Sequence, residues 1–172
     1  MRLKQSGYFC PVAEFNVKTP LGRKKLKMAQ EEKTKEIVVT VSGGFDPVHI
    51  GHLRMFEEAK KLGTRLIVIL NCDKWLVRKK GKAFMPQDER AELIRGFKCV
   101  NDVFILESDR NDVVEAIEKI RPHVFANGGD RKNEADIPEA AICKKLGVKM
   151  VFNIGGGKIR SSSELLEAYN NN

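Results

Sequence analysis

Two histidines stand three residues apart in the stretch SGGFDPVHIGHL, residues 42–53, of a chain that has only three histidines in all. The apolar run EIVVTV precedes this stretch, and LRMFEEAKKLG continues from it with apolar and charged residues at helical spacing. His49 and His52 therefore fall at the start of a predicted helix and on one face of it. Neutral imidazoles can donate hydrogen bonds to phosphoryl oxygens, which suits a reaction that shifts negative charge across a phosphate. We interpret both histidines as catalytic residues of phosphate chemistry.

Glycines around the histidines support this interpretation. Gly43 and Gly44 lie where the chain must turn sharply off the strand, and their backbone can approach a ligand closely. The helix that follows directs its unpaired N–H groups and the positive end of its dipole toward the same turn, which makes an anion site. Gly51 is expected to leave room for a bulky ligand against the helix. Two histidines at this spacing are, by themselves, more typical of helix capping and packing.

The longer string is more specific than the histidine pair. Residues 43–52, GGFDPVHIGH, closely resemble the GxFDxxHxGH signature of the nucleotidyltransferase superfamily. That superfamily includes cytidylyltransferases, adenylyltransferases and, more remotely, class I aminoacyl-tRNA synthetases, and the resemblance extends from about residue 37 to residue 166. It implies transfer of a nucleoside monophosphate from a nucleoside triphosphate to the phosphate of a small acceptor, with release of pyrophosphate.

A second stretch, NCDKWLVRKKGKAFMPQDER, is similar to the second signature of family members that act on phosphorylated alcohols and sugars. There a Lys-Gly pair precedes an E-R ending by nine residues, as Lys80-Gly81 precedes Glu89-Arg90 here. The resemblance implies that Lys80 bridges the acceptor and the α-phosphate. Arg90 is either a second clamp on the substrate phosphate or a surface residue of a helix. The surrounding basic residues are equally read as a solvated charge run: Arg78, Lys79, Lys80 and Lys82.

Two further motifs follow later strands. NGGD, residues 127–130, is similar to the KGGD of heptose-phosphate adenylyltransferases, and Gly129 would let backbone approach a base or ribose while Asp130 accepts from hydroxyls. A plain turn explains NGGD as well. RSSS, residues 160–163, stands where those families carry R-S-T-T or I-S-T-T, so serines replace both threonines. Ser161 and Glu164 also form a capping-box pattern, which is a sufficient structural reason for both residues.

The resemblance implies a role for each of these residues. Amides of Gly44 and Phe45 would hold the α-phosphate, and Asp46 would orient the loop or approach a metal. The implied catalytic residues are His49, His52, Lys80 and Arg160, and the implied contacts to substrate phosphate are Lys80 and Arg90. The implied nucleotide-binding residues are Gly43, Gly44, Phe45, Asp46, Gly129, Asp130, Lys158, Ser161 and Ser162. Magnesium would arrive with the triphosphate, and no protein metal ligand is expected.

The identity of the substrates stays open at this point. The NGGD and RSSS motifs favour ATP with a sugar 1-phosphate, whereas the KKG stretch favours CTP with glycerol phosphate or a phosphoamino-alcohol equally well. A different class of function is also open: an idle module that binds nucleotide, or docks on nucleic acid through its basic N-terminal segment. The intact histidine pair argues against an idle module, and a nucleic-acid partner is not expected. The family often forms dimers, so a homodimer is a further possibility.

The elements that would position these motifs alternate regularly. Strands are predicted at 37–41, 65–70, 102–106, 123–127 and 149–154. Helices are predicted near 51–62, 87–97, 111–120, 137–146 and from about 161, with a long loop at 71–85. This alternation predicts a single doubly wound, Rossmann-like α/β domain with a five-stranded parallel sheet flanked by helices. Ligands bind such sheets outside the carboxyl ends of the strands, where all the motifs fall.

Charge divides the chain unevenly. The net charge is +8, and residues 1–34 contribute +5 of it through eight Lys or Arg and three Asp or Glu. We expect residues 1–34 to be a flexible, solvated basic extension and residues 35–172 to be the nucleotidyltransferase domain. The four cysteines, Cys10, Cys72, Cys99 and Cys143, have no CxxC spacing and are expected to be reduced. With no secretory signal or membrane-spanning run, the expected location is the cytoplasm.

Overall fold

A computed structural model describes residues 35–128, 137–156 and 161–165. Strands and helices alternate along it in the following order: β1 (Val38–Gly43), α1 (Ile50–Lys60), β2 (Arg65–Asn71), α2 (Asp73–Lys80), α3 (Gln87–Arg95), β3 (Asp102–Leu106), α4 (Val114–Ile120), β4 (Val124–Gly128), α5 (Ala140–Leu146) and β5 (Lys149–Ile154). Residues 162–165 form a further helical turn.

The five strands form one sheet in the order β3-β2-β1-β4-β5, and every neighbouring pair is parallel. Strand β1 lies at the centre, with Val38 opposite Arg65 and Gly43 opposite Leu70 of β2. The chain first builds outward through β2 and β3 and then returns to the other side of β1 with β4. This reversal of direction opens a cleft at the carboxyl ends of β1 and β4. The predicted doubly wound parallel sheet is confirmed.

Both faces of the sheet are covered by helices, as parallel sheets require. On one face, helices α1 and α3 pack on the strands through four buried side chains, Phe56, Ala59, Ala91 and Ile94. On the other face, α4 and α5 contribute Ala116, Ile117, Ile142 and Cys143. Apolar side chains thus anchor the helices to both faces of the sheet.

The predicted loop 71–85 is the main error in the predicted element order, because most of it is helix α2. Trp75 and Leu76 are buried on this helix, and Gly81 ends it in the left-handed conformation with φ of 83°. A glycine after a run of basic residues is a common helix terminus. The lysines that the sequence assigned to a loop therefore stand on a defined scaffold.

Two helices begin three residues later than predicted, at Val114 and Ala140. Asp112 accepts the Val114 N–H at 3.3 Å, which marks the start of α4. Glu139 precedes α5, but its side chain makes no cap hydrogen bond to that helix, and its carboxylate accepts the N–H of buried Val113 at 2.9 Å.

Within the described ranges, no helix combines the length and apolar character needed to cross a membrane. Cys72, Cys99 and Cys143 are free thiols, as expected. Cys10 and the whole basic segment 1–34 lie outside the described residues, so the proposed domain division remains a prediction.

Candidate active site

The turn after β1, residues 43–49, is the centre of the candidate site. It leaves the strand at Gly43, passes through Phe45 with a positive φ of 48°, and continues through a cis peptide bond between Asp46 and Pro47. A Cβ on Gly44 would lie 2.9 Å from the Leu76 side chain and 3.1 Å from Trp75, so glycine allows α2 to pack directly on the turn. The turn is thus held against both the sheet and α2.

The two histidines cap each other at the start of α1. The Gly51 N–H donates to His49 Nδ1 at 3.1 Å, and the His49 N–H donates to His52 Nδ1 at 3.3 Å. The imidazole rings stack with centroids 3.7 Å apart and planes inclined by 23°. Because both Nδ1 atoms accept hydrogen bonds, the proton of each neutral ring is on Nε2. The backbone therefore selects the tautomer that donates from Nε2.

His52 is held in its neutral form. Burial, with nearby His49 and Lys80 acting in the same direction, lowers the pKa of His52 from 6.5 to about 3. Phe45 supplies part of this enclosure, since its ring meets the His52 ring edge-on with centroids 4.9 Å apart. A neutral imidazole here agrees with the chemistry expected from the sequence, in which the histidines donate hydrogen bonds without needing a charge.

The expected role of Gly51 is wrong in one respect. A Cβ at this position would lie 2.9 Å from Cε1 and 3.0 Å from Nδ1 of His49. The space that we assigned to a bulky ligand is therefore filled by the His49 ring itself. Glycine is required here for the mutual capping of the histidines.

Lys80 reaches the turn from the last residue of α2. Its ammonium donates to the Asp46 carbonyl oxygen at 3.2 Å, and its charge contributes to the low pKa of His52. The neighbouring basic residues are used differently: Arg78 pairs with Asp109 at 3.6 Å, and the Lys79 ammonium lies 4.5 Å from the centroid of the Trp75 ring. The structure thus brings Lys80, of this basic run, to the histidine pair.

Asp46 is enclosed by protein, with 1% of its surface exposed. Its two carboxylate oxygens accept the N–H groups of Phe84 and Met85, both at 2.8 Å. Of the two roles considered for Asp46, the structure supports orientation of the loop. Both carboxylate oxygens are directed at the backbone of segment 84–85, and neither is directed at a nucleotide or metal position.

The role expected for Arg90 needs correction. Its side chain is completely buried, so it is not a surface residue of α3, and its guanidinium is directed at protein groups. It donates to the carbonyl oxygens of Gly44, Asn71 and Met85 and to the carboxylate of Asp73. Arg90 therefore holds the turn in place, and four of its five N–H donors are used by protein groups.

One serine of the RSSS motif contacts the same turn. The Ser162 hydroxyl donates to the Pro47 carbonyl oxygen at 3.0 Å. Ser161 and Glu164 cap the last helical turn reciprocally, with both hydrogen bonds at 3.1 Å, as the pattern predicted. The remaining candidates, Gly129, Asp130, Lys158 and Arg160, lie outside the described residues, so their roles remain predictions.

Sequence reasoning missed a pair of residues that joins two helices at the site. The Asp73 N–H donates to Gln87 Oε1 at 3.0 Å, and the Gln87 N–H donates to Asp73 Oδ2 at 3.1 Å, so the first residues of α2 and α3 hold each other. Recognition of Gly81 as a helix end would have pointed to Asp73, since an acidic residue is favoured in the first turn. No comparable signal marks Gln87.

In the part of the chain that the structure describes, no group of three or more His, Cys, Asp or Glu side chains is placed to hold a metal ion. The carboxylate within the signature, Asp46, already accepts two backbone N–H groups. The described residues therefore do not fit a resident metal.

Comparisons with known proteins agree with this geometry. Residues 40–154 match the family model described as Cytidylyltransferase-like. The FAD synthase of Thermococcus kodakarensis is 38% identical over 102 residues, which cover 59% of this chain and 68% of that protein. The bifunctional protein HldE of Streptomyces coelicolor is 34% identical over 117 residues, but these cover only 25% of HldE and 67% of this chain.

A solved structure gives the same picture. The lipopolysaccharide core biosynthesis protein from Thermoplasma volcanium superposes with a TM-score of 0.58 at 32% sequence identity. The superposition covers 69% of this chain and 97% of that one.

Proposed function

Because the chain belongs to the cytidylyltransferase-like family of nucleotidyltransferases, we propose that it transfers a nucleoside monophosphate from a nucleoside triphosphate to the phosphate of a small acceptor. The family membership confirms the resemblance seen in the sequence. The acceptor oxygen attacks the α-phosphorus, a new P–O bond forms, and the bond to the leaving pyrophosphate breaks. No protein nucleophile is required, so catalysis consists of positioning and charge stabilisation.

The mutual capping of His49 and His52 is the observation that carries this proposal. Each Nδ1 is used by a backbone N–H, which leaves each neutral ring with its donor at Nε2. The pKa of about 3 keeps His52 neutral at physiological pH. Donors fixed in advance at a helix start stabilise negative charge that grows on the α-phosphate, without reorganising during the reaction.

The charge of Lys80 acts on His52, and we assign Lys80 to the junction between acceptor phosphate and α-phosphate. Two phosphorylated reactants repel each other, and a cation at their junction offsets that repulsion. Lys158, Arg160 and Ser161 are assigned by resemblance to the departing pyrophosphate. Enzymes of this family generally use a divalent metal, and Mg²⁺ held by the triphosphate would supply further charge neutralisation.

We propose ATP as the donor. FAD carries an adenylyl group on the phosphate of FMN, so a relative called FAD synthase implies adenylyl transfer to that flavin phosphate. The NGGD motif resembles that of heptose-phosphate adenylyltransferases, which also favours ATP. The acceptor is then a phosphate monoester, with FMN and a sugar 1-phosphate as the two leading choices.

The experiment that tests this function is a screen of pyrophosphate release. ATP and CTP are each crossed with FMN, a sugar 1-phosphate, glycerol 3-phosphate, phosphocholine and phosphoethanolamine in the presence of Mg²⁺. We expect release with ATP in at least one acceptor-dependent arm. If no arm releases pyrophosphate above background, the proposal is wrong.

His52→Asn makes the screen specific to the site. Asn can accept the His49 N–H in place of Nδ1, but it has no donor at the position of Nε2. We expect turnover to fall at least ~10²-fold, as for loss of a donor to a developing oxyanion. His123→Asn is the matched control, because His123 Nδ1 likewise accepts a backbone N–H, from Val38 at 3.0 Å, at the opposite edge of the sheet.

A binding module is the competing function, and it makes different predictions. Such a protein would bind a short RNA with steep salt dependence and would show no turnover. Calorimetric titration with ATP, CTP and RNA at two salt concentrations separates the two functions. Binding of RNA alone, with no heat from either nucleotide, would favour the module.

A further inference from the structure

Arg90 contacts four segments of the chain at once. Its guanidinium donates to the Gly44 carbonyl after β1 and to the Asn71 carbonyl at the end of β2, the latter at 3.0 Å. It also donates to the Met85 carbonyl at 3.0 Å and to the Asp73 carboxylate at the start of α2. All these oxygens lie at the carboxyl edge of the sheet. The buried guanidinium therefore helps to fix the positions of the segments that form the candidate site.

Segment 84–85 is held through its backbone between two buried charges. The Met85 N–H donates to Asp46, and the Met85 carbonyl accepts from Arg90. Asp46 and Arg90 have 1% and 0% of their surfaces exposed, respectively. The peptide groups of Met85 thus bridge an anion and a cation that do not touch, which couples the signature turn to the segment before α3.

The same guanidinium fixes α2. The Asp73 carboxylate shares its oxygens between Arg90 and the Gln87 N–H, so the start of α2 is tied to the start of α3. Lys80 is the last residue of α2, seven residues after Asp73, which corresponds to a rise of about 10 Å. An error in where α2 begins is therefore transmitted along a rigid helix to the Lys80 ammonium.

We propose that Arg90 is a positioning residue that sets Lys80 against the histidine pair. This inference rests on the proposed function, because the distance that matters is the one between the two reacting phosphates. The ion pair between Arg90 and Asp73 is open to solvent on one side, because the Asp73 side chain is 37% exposed, so screening limits what the pair adds to stability. Arginine has five N–H donors in a fixed plane. Four of them are used here, and they hold separate segments in fixed relative positions.

Arg90→Lys tests the inference. It keeps the charge but loses the planar fork, and we expect turnover to fall about 10²-fold while the KM values for nucleotide and acceptor change less than about threefold, because alignment and not binding is lost. Trp75, the single tryptophan of the chain, belongs to α2 and lies beside Gly44, so its fluorescence reports a movement of this helix. We expect its emission to shift to the red in Arg90→Lys with far-UV circular dichroism unchanged. Arg95→Lys, on the exposed side of the same helix, should leave turnover and emission unchanged.

Rescue separates positioning from folding. In Arg90→Ala, millimolar guanidinium should raise turnover at least tenfold over that of the same variant without guanidinium. The measurement is made at a temperature where the folded fraction is constant. If neither Arg90 variant folds, Asp73→Asn decides, with an expected fall of about tenfold because its weakened anchor loosens α2. Turnover of folded Arg90→Lys within threefold of wild type, or no effect of Asp73→Asn, would overturn the inference while leaving the proposed function intact. A wild-type protein inactive in every arm of the screen would overturn the proposed function instead.

Discussion

Histidine is an uncommon residue for a helix start, where serine, threonine, aspartate and asparagine serve better. Here two histidines take the parts that a hydroxyl and a carboxylate take in an ordinary capping box, each accepting a backbone N–H through Nδ1. Histidine caps a helix less strongly than serine, but its ring carries a second nitrogen that serine lacks. An imidazole that accepts at Nδ1 has its donor about one ring width away, at Nε2, so the same residue can cap the helix and contact a phosphate.

The low pKa of His52 predicts a pH dependence of stability. The unfolded chain binds a proton at this residue near pH 6.5 and the folded protein only near pH 3, so the contribution is fully present above about pH 6.5 and is lost as pH falls toward 3. Urea unfolding of wild type and His52→Asn at pH 7 and pH 4.5 measures it. We expect the wild type to lose up to about 2 kcal/mol more than the variant between these pH values. Equal losses would show that His52 is not held neutral by the fold.

Gly51→Ala should separate folding from function. Alanine is favoured over glycine in a helix by up to about 1 kcal/mol, which offsets much of the cost of losing the His49 cap, so the variant should fold with a stability near that of wild type. Its Cβ would lie 2.9 Å from His49 Cε1, which forces the ring to move. We expect turnover to fall about tenfold or more, because displacement of a donor by a fraction of an ångström weakens its hydrogen bond to the transition state.

Gly96→Ala is the control for this substitution. Gly96 ends α3 with a helical φ of −67°, and its added Cβ would meet the Leu93 carbonyl oxygen at 3.2 Å, away from the histidines. Thermal unfolding and pyrophosphate release are measured for both variants. Loss of turnover in Gly96→Ala to the same degree would contradict a specific role for the space beside His49.

Among the helices and strands, those marked by a local sequence pattern were predicted correctly. Strands β3 and β5 begin and end where their apolar runs do, at Asp102–Leu106 and Lys149–Ile154. Helix α2 was missed because its eight residues carry four positive charges and a family motif, and both features suggested a loop. Most residues of this helix are polar. Its place in the fold depends on two buried residues, Trp75 and Leu76, which pack on the turn after β1.

Gly81 and Gly147 offer a matched pair for testing what α2 does. Both end a helix in the left-handed conformation, with φ of 83° and 69°, and a Cβ on either would meet no atom within 4 Å. Alanine at either position should destabilise the protein by about 1 kcal/mol in urea unfolding, since only the backbone conformation is penalised. Because Gly81 follows Lys80, Gly81→Ala alone should raise the acceptor KM, by about threefold or more. An equal change of the acceptor KM in both variants would contradict the prediction that the end of α2 positions Lys80.

At the scale of the whole molecule, the site is a product of topology. The reversal of strand order at β1 brings the turn after β1, the helix after β2 and the residues after β5 to one edge of the sheet. Sequence patterns identified these three segments by their motifs, but they could not predict which charged residues the edge would bury. Arg90 and Asp46 look like ligands from their types alone, and only the packing of α2 and α3 shows that their donors and acceptors are used internally.

The contact between Ser162 and Pro47 joins positions 115 residues apart, and it tests whether this convergence matters for function. Ser162→Ala removes one hydrogen bond of 3.0 Å, and a net loss of about 1 kcal/mol corresponds to roughly a fivefold fall in kcat/KM for the nucleotide. Ser163→Ala, at the exposed neighbouring position, removes the same group without a described contact to the turn and should stay within twofold of wild type. Steady-state kinetics with varied ATP measure both. A deficit in Ser163→Ala equal to that in Ser162→Ala would mean that the last helical turn acts through its own stability, whereas a deficit confined to Ser162→Ala would show that the two distant segments form one nucleotide site.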